Sequence, residues 1–172
     1  MNRFLIVMGS RWTRLVLVLL IVLSLQTTIF AELKPFGVAV QIILLFVVTS
    51  GSVNGVAIGS LTGLIAGLMY DLVLPTPVGL SSLAFGLAGA TAGLLIYFFR
   101  EPTWWMRLIT IAVVSVFGEI LFPIAQSMVG LGGWLQPRAL KVAIVVALCN
   151  MVLSPLATLV YRWTMSERKT VA

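Results

Sequence analysis

The sequence predicts an all-α membrane protein of six transmembrane helices, and three observations carry that expectation. Hydrophobic residues make up 60% of the 172 and charged residues only 9%, with a mean hydropathy of +1.14. A soluble domain needs far more polar surface. Six apolar runs, each on the order of the ~20 residues that cross a bilayer, are separated by charges, prolines and glycines. None of them alternates apolar with polar residues, which excludes a β-barrel. The chain reads as a single domain, 1–172, with no room for a separate soluble one.

The first span, about 14–31, follows Arg3, Arg11 and Arg14. It resembles a signal peptide, but Ile29, two before a conceivable cleavage at Ala31, is too large for the small-residue rule, so the span is read as retained. The second, about 35–50, opens at Pro35, a residue suited to the first helical position. The third, about 53–74, stops at Pro75 and Pro77. The fourth, about 78–99, ends at Arg100-Glu101-Pro102, and the fifth, about 104–128, ends before Gly130-Leu131-Gly132-Gly133. The sixth, about 138–163, precedes the charged tail Ser166-Glu167-Arg168-Lys169.

Six spans put both termini on one side. That side holds eight basic residues: Arg3, Arg11, Arg14, Arg100, Arg107, Arg162, Arg168 and Lys169. The other side holds only Lys34, Arg138 and Lys141, so the positive-inside rule makes the termini cytoplasmic. Trp12, Trp104, Trp105 and Trp163 then lie at the inner headgroups, with Trp134 outside. The net charge of +6 is a topology and lipid signal; no basic stripe interleaved with aromatics suggests nucleic acid. There is no histidine, and the lone Cys149 sits in an apolar run, so the usual zinc and haem ligand sets are missing and no cofactor is expected. Neither a catalytic pair nor an arginine cluster for lipid-phosphate chemistry is evident, and the reading is of a protein that is not an enzyme.

Within the third span Gly51, Gly55, Gly59, Gly63 and Gly67 recur every four residues, and the next step lands on Asp71. In lipid such a row lets another helix approach closely. A step of four drifts about 40° around the helix, so the row suits a strongly crossed contact or two successive neighbours. The fourth span answers with Ala84, Ala88 and Ala92 beside Gly86, Gly89 and Gly93, and the short Pro75–Pro77 link makes the two an antiparallel hairpin. Packing within that hairpin is favoured over homodimerisation.

Asp71 lies ~26 Å along its span and Glu119 ~22 Å along the fifth, both in the outer half of the bilayer. Gln26, Gln41, Gln126 and Lys141 fall at a similar level, while the inner half reads as nearly pure hydrocarbon, with Asn54 at its edge and Asn150 near the midplane. A charge at the bilayer centre costs ~2.5–3.5 kcal/mol on insertion scales, so Asp71 and Glu119 should face protein or water. Pairing of either with Lys141 would relieve that cost. The cluster Asp71, Glu119, Gln126 and Lys141 is internal glue, the lining of an outward cavity, or a docking site for a partner. A proton relay or channel would need polar residues through the inner half.

The segment from Gly55 to Gly93, with its glycine-rich span, Gly67-Leu68-Met69-Tyr70-Asp71, a Pro-containing turn, Gly79 and a second Gly/Ala-rich span, resembles the rod shape-determining MreD family. The positions that map onto the family pattern are Gly63, Gly67, Asp71 and Gly79. The resemblance implies a non-catalytic scaffold of the bacterial inner membrane. Its expected partner is MreC, a single-span protein, and it is expected to act with MreB and the peptidoglycan synthases. MreC's helix would lie on the small-residue faces of spans three and four (Gly55, Gly59, Gly63, Gly67, Gly86, Gly93). The family is also similar in span count to the substrate-binding subunits of energy-coupling-factor vitamin transporters, which supplies a second reading.

Overall fold

The computed structural model describes residues 10–73, 77–99, 101–130 and 137–166. Pro75, Thr76, Gly132, Gly133, Trp134, Arg3, Arg100 and the charged tail from Glu167 lie outside them. Among the described residues the fold is all-helical, with six α-helices and one 3-10 turn.

Ser10 caps α1 (Arg11–Glu32), accepting from the backbone N–H of Trp12 at 3.3 Å, so the helix begins one turn earlier than hydropathy suggests. Pro35 does not open the second helix. It opens a 3-10 turn, Pro35–Gly37, and Gly37 at φ +78° cannot continue a right-handed helix. α2 therefore starts only at Ile42 and runs to Asn54. Every residue of α2 from Ile43 to Ser52 is buried, which makes it the central helix. A helix apolar on all sides, as this one is in sequence, is one enclosed on all sides.

One residue, Gly55 at φ +84°, separates α2 from α3 (Val56–Asp71). The five glycines expected on one span are thus divided. Gly51 belongs to α2, Gly55 is the bend, and Gly59, Gly63 and Gly67 lie on α3. α4 (Leu80–Phe98), α5 (Trp104–Met128) and α6 (Pro137–Met165) complete the bundle, with Pro123 and Pro155 inside α5 and α6. The helices α1, α4, α5 and α6 are long and apolar enough to cross a membrane, whereas α2 and α3 are shorter apolar helices. At 1.5 Å per residue α2 and α3 rise about 20 and 24 Å.

α3 and α4 form the most closely packed pair, α2 packs on both, α5 pairs with α6, and α1 touches α6, α2 and α3 more sparsely. Large apolar side chains point outward at helical spacing, as at Leu61, Leu64 and Leu68 on α3 and Leu83, Leu87 and Leu94 on α4. Inside, small and hydroxyl-bearing residues such as Ala84, Ala88, Ser50 and Thr62 lie among large apolar ones such as Leu15, Ile43, Leu44 and Phe85. Small residues where helices meet suit a lipid solvent, in which burying leucine gains little and close packing gains much.

Candidate functional site

The glycine row becomes a seam between α3 and α4. A Cβ on Gly59 would run into the Gly89 carbonyl, on Gly63 into that of Phe85, on Gly67 into that of Ser81, and on Gly93 into the backbone of Gly55 and Val56. Each step of four along α3 is matched by a step of four back along α4, so one neighbour follows the row throughout. Two helices in contact along a four-residue repeat wind about each other, which absorbs the drift that argued for two neighbours. At one level a third helix joins, because a Cβ on Gly51 of α2 would also meet the Gly89 carbonyl. Gly86 is looser and faces only the Leu64 side chain, 3.1 Å from its Cβ position. Gly55 and Gly79 have open space and are needed for their positive φ. The small-residue faces of α3 and α4 are turned on each other, so the expectation that a partner's helix lies there is corrected.

Asp71 ends α3 and is 2% exposed. Its carboxylate accepts the backbone N–H groups of Gly79 at 2.8 Å, Ser81 at 3.1 Å and Ser82 at 3.3 Å. These are the cap and the second and third positions of α4, donors that a helix leaves without internal partners. Gly79 at φ +104° turns the chain so that its N–H reaches the acid. Three charge-assisted bonds at ~1.5–3 kcal/mol each exceed the ~2.5–3.5 kcal/mol of placing the charge in lipid. The positive end of the α4 dipole adds to them. The Ser82 hydroxyl closes the junction by donating to the Leu64 carbonyl at 2.7 Å.

Gln26 does for α2 what Asp71 does for α4. Its Nε2 donates to the Val40 carbonyl at 2.8 Å and its Oε1 accepts from Ile42 N–H at 2.8 Å, binding the extended residues before α2 to α1. The opposite end of the bundle uses cations on helix C-termini. Arg107 donates to the Ser52 carbonyl of α2 at 2.8 Å, and Arg14 donates to the carbonyls of Trp163 and Ser166 at the end of α6, at 3.4 and 2.5 Å. Hydropathy and charge counting place these arginines at the interface without revealing that each one finishes a helix.

Glu119 is buried on α5, and its Oε1 has no hydrogen-bond partner. Both Glu119 and Asp71 lie within electrostatic reach of the half-buried Tyr70 hydroxyl. Lys141 does not join them in an ion pair with Glu119: its side chain is exposed on α6, and no such pair forms among the described residues. Gln126 is half-buried two turns beyond Glu119.

Hydroxyl-bearing residues also fill positions that the sequence reading passed over: Thr49, Ser50, Ser52, Thr62, Thr110, Ser154, Tyr161 and Thr164 are buried. Several of their hydroxyls return to carbonyls of their own helix, as Ser50 does to Val47 at 2.7 Å and Thr164 to Val160 at 2.8 Å, and so carry no polarity visible to hydropathy. Fully buried Tyr161 meets the Phe46 ring edge-on at 5.4 Å. Its hydroxyl faces those of Thr62 and Ser50 without a hydrogen bond of ordinary geometry. Near the midplane Asn150 of α6 donates to Ser115 of α5 at 2.9 Å. Sequence reasoning weighed charges and amides and passed over these hydroxyls.

Among the described residues no group of three or more His, Cys, Asp or Glu could hold a metal ion. No protein-family model, curated protein or solved structure matches the chain.

Proposed function

We propose that this chain is a six-span, non-catalytic component of the bacterial cell-elongation machinery, similar to the MreD family. In this reading it sits in the inner membrane with both termini cytoplasmic. It binds the single-span protein MreC and, with MreB and the peptidoglycan synthases, helps organise wall synthesis. The observation that carries the reading is the hairpin itself. The residues on which the resemblance rests all belong to one built unit, with Gly63 and Gly67 in the seam, Asp71 as the cap, and Gly79 as the turn that presents α4 to it. A rigid body in which Asp71, Arg14 and Arg107 finish helices is suited to holding another protein in register. The six-span count draws support from α3 running antiparallel beside α4 from Gly93 to Ser81, about 18 Å of shared length.

The seam is closed, so MreC's helix docks on an outward face. Gly63→Leu therefore tests folding before it tests association. The experiment for this reading is co-purification of MreC with the intact chain from solubilised membranes. Enrichment of MreC supports it, and a folded chain that never retains MreC overturns it.

One observation favours the second reading, a substrate-binding subunit of a vitamin transporter. The unpaired Glu119 Oε1 and the unpaired Ser81 hydroxyl both lie toward the Asp71 end of the bundle. A vitamin-like ligand retained by the purified protein in mass spectrometry, and released by Glu119→Gln, would establish that reading over the first.

A further inference from the structure

Between α1 and α6, floored by α2, runs a groove of about 770 Å³. Val18, Val22 and Leu25 form one wall, Phe46 the floor, and Ala157 and Trp163 part of the other wall. All its lining residues are apolar apart from the indole nitrogen of Trp163. Arg14 stands one turn before Val18 on the same face of α1, and its guanidinium bonds the carbonyl of Trp163, the residue that ends the α6 wall. Arg11 lies a further turn out on the same face of α1, its guanidinium 5.8 Å from the centre of the Trp12 ring. One mouth of an oily groove is thus flanked by two arginines of α1 and the Trp163 indole.

From Arg14 to Leu25 the groove measures ~16 Å along α1, close to the ~15 Å depth of one leaflet. Its α1 wall is built of large side chains, which hold a second helix backbone away, and helices associate in lipid through small residues. A flexible hydrocarbon chain fills such a surface better than a helix does. The cations at the mouth complement a phosphate.

We propose that the α1–α6 groove binds an anionic phospholipid, with one acyl chain along Val22 and Leu25 and the phosphate at Arg11 and Arg14. This site is independent of the scaffold reading. The lipid completes the sparse packing of α1 and holds the first helix to the bundle.

The test uses the full chain in detergent, delipidated and titrated with phosphatidylglycerol or phosphatidylcholine under native mass spectrometry. One phosphatidylglycerol is expected to bind roughly tenfold more tightly than phosphatidylcholine, the order produced by one or two cations at a headgroup. Arg11→Gln should remove most of that preference, and Arg162→Gln, on another face of α6, should leave it unchanged. Ala157→Trp should weaken both lipids alike by filling the groove. A phosphatidylglycerol carrying a photoreactive acyl chain should label wild-type α1 and α6 in preference to α4, a readout that does not depend on any variant folding. Equal affinity for the two lipids overturns the proposal, as does labelling spread evenly over the helices. So does labelling of the groove that is lost when a purified single-span partner occupies it.

Discussion

The α3–α4 seam and the α1–α6 groove are both contacts between apolar helices, yet one is closed and the other open. In the seam, glycine at every fourth residue brings backbone against backbone. In the groove, valine and leucine on α1 face leucine and valine on α6 and leave about 770 Å³ between them. Hydrophobicity does not separate the two, since both would leave water equally well. Shape does, because lipid tails compete with any greasy surface and lose only to one that packs more closely.

The comparison breaks most visibly at Gly63. Gly63→Ala places a Cβ against the Phe85 backbone, which has no flexible end to yield. It should destabilise the bundle by ~1–3 kcal/mol or more, seen as a fall in the unfolding temperature in detergent. Gly86→Ala is the control: its tight contacts are with the Leu64 side chain alone, the Ser60 carbonyl standing at an ordinary 3.7 Å, and it gains helix propensity of up to ~1 kcal/mol, so its net effect should be near zero. Equal losses at both positions would mean that the seam is not the tight element.

A smaller effect is expected at the cap. Asp71→Ala should cost ~2 kcal/mol, with Asp71→Asn losing less because one acceptor oxygen remains. Hydrogen exchange at the Ser81 and Ser82 amides should accelerate in the same order. Gln26→Ala, which frees one carbonyl and one N–H, should cost ~1 kcal/mol and speed exchange at Ile42. The smallest effect belongs to Lys141→Met. An exposed lysine without a buried partner should change stability by less than ~0.5 kcal/mol. A loss of several kcal/mol would restore the ion-pair cluster that the geometry separates.

Much of this was legible beforehand. The four-residue glycine spacing announced a close helix pair, the alanines and glycines of the next span named the neighbour, and two prolines between them set it antiparallel. That Asp71 should face protein or water and not lipid was equally plain. Its partner was not: a basic residue at the same depth looked like the natural counter-charge, and the donors proved to be amides eight to eleven residues later. Backbone N–H groups have no letter in a sequence, so a helix N-terminus cannot be counted as a cation before the helix is placed. The late start of α2 escaped for a related reason. Pro35 is a good first helical residue, and only the positive φ of Gly37, a backbone choice invisible in composition, ends the turn it begins.

Hydropathy and glycine period were sufficient by themselves to set an all-helical bundle with helices apolar enough to cross a membrane and to bring α3 and α4 together, since these depend on local composition and on spacing along a single helix. Only the tertiary structure decided which side of that pair remains free, which helix each acid and arginine caps, and where hydroxyls collect. Those outcomes depend on carbonyls and amides from distant segments meeting in a solvent that offers them no alternative partner.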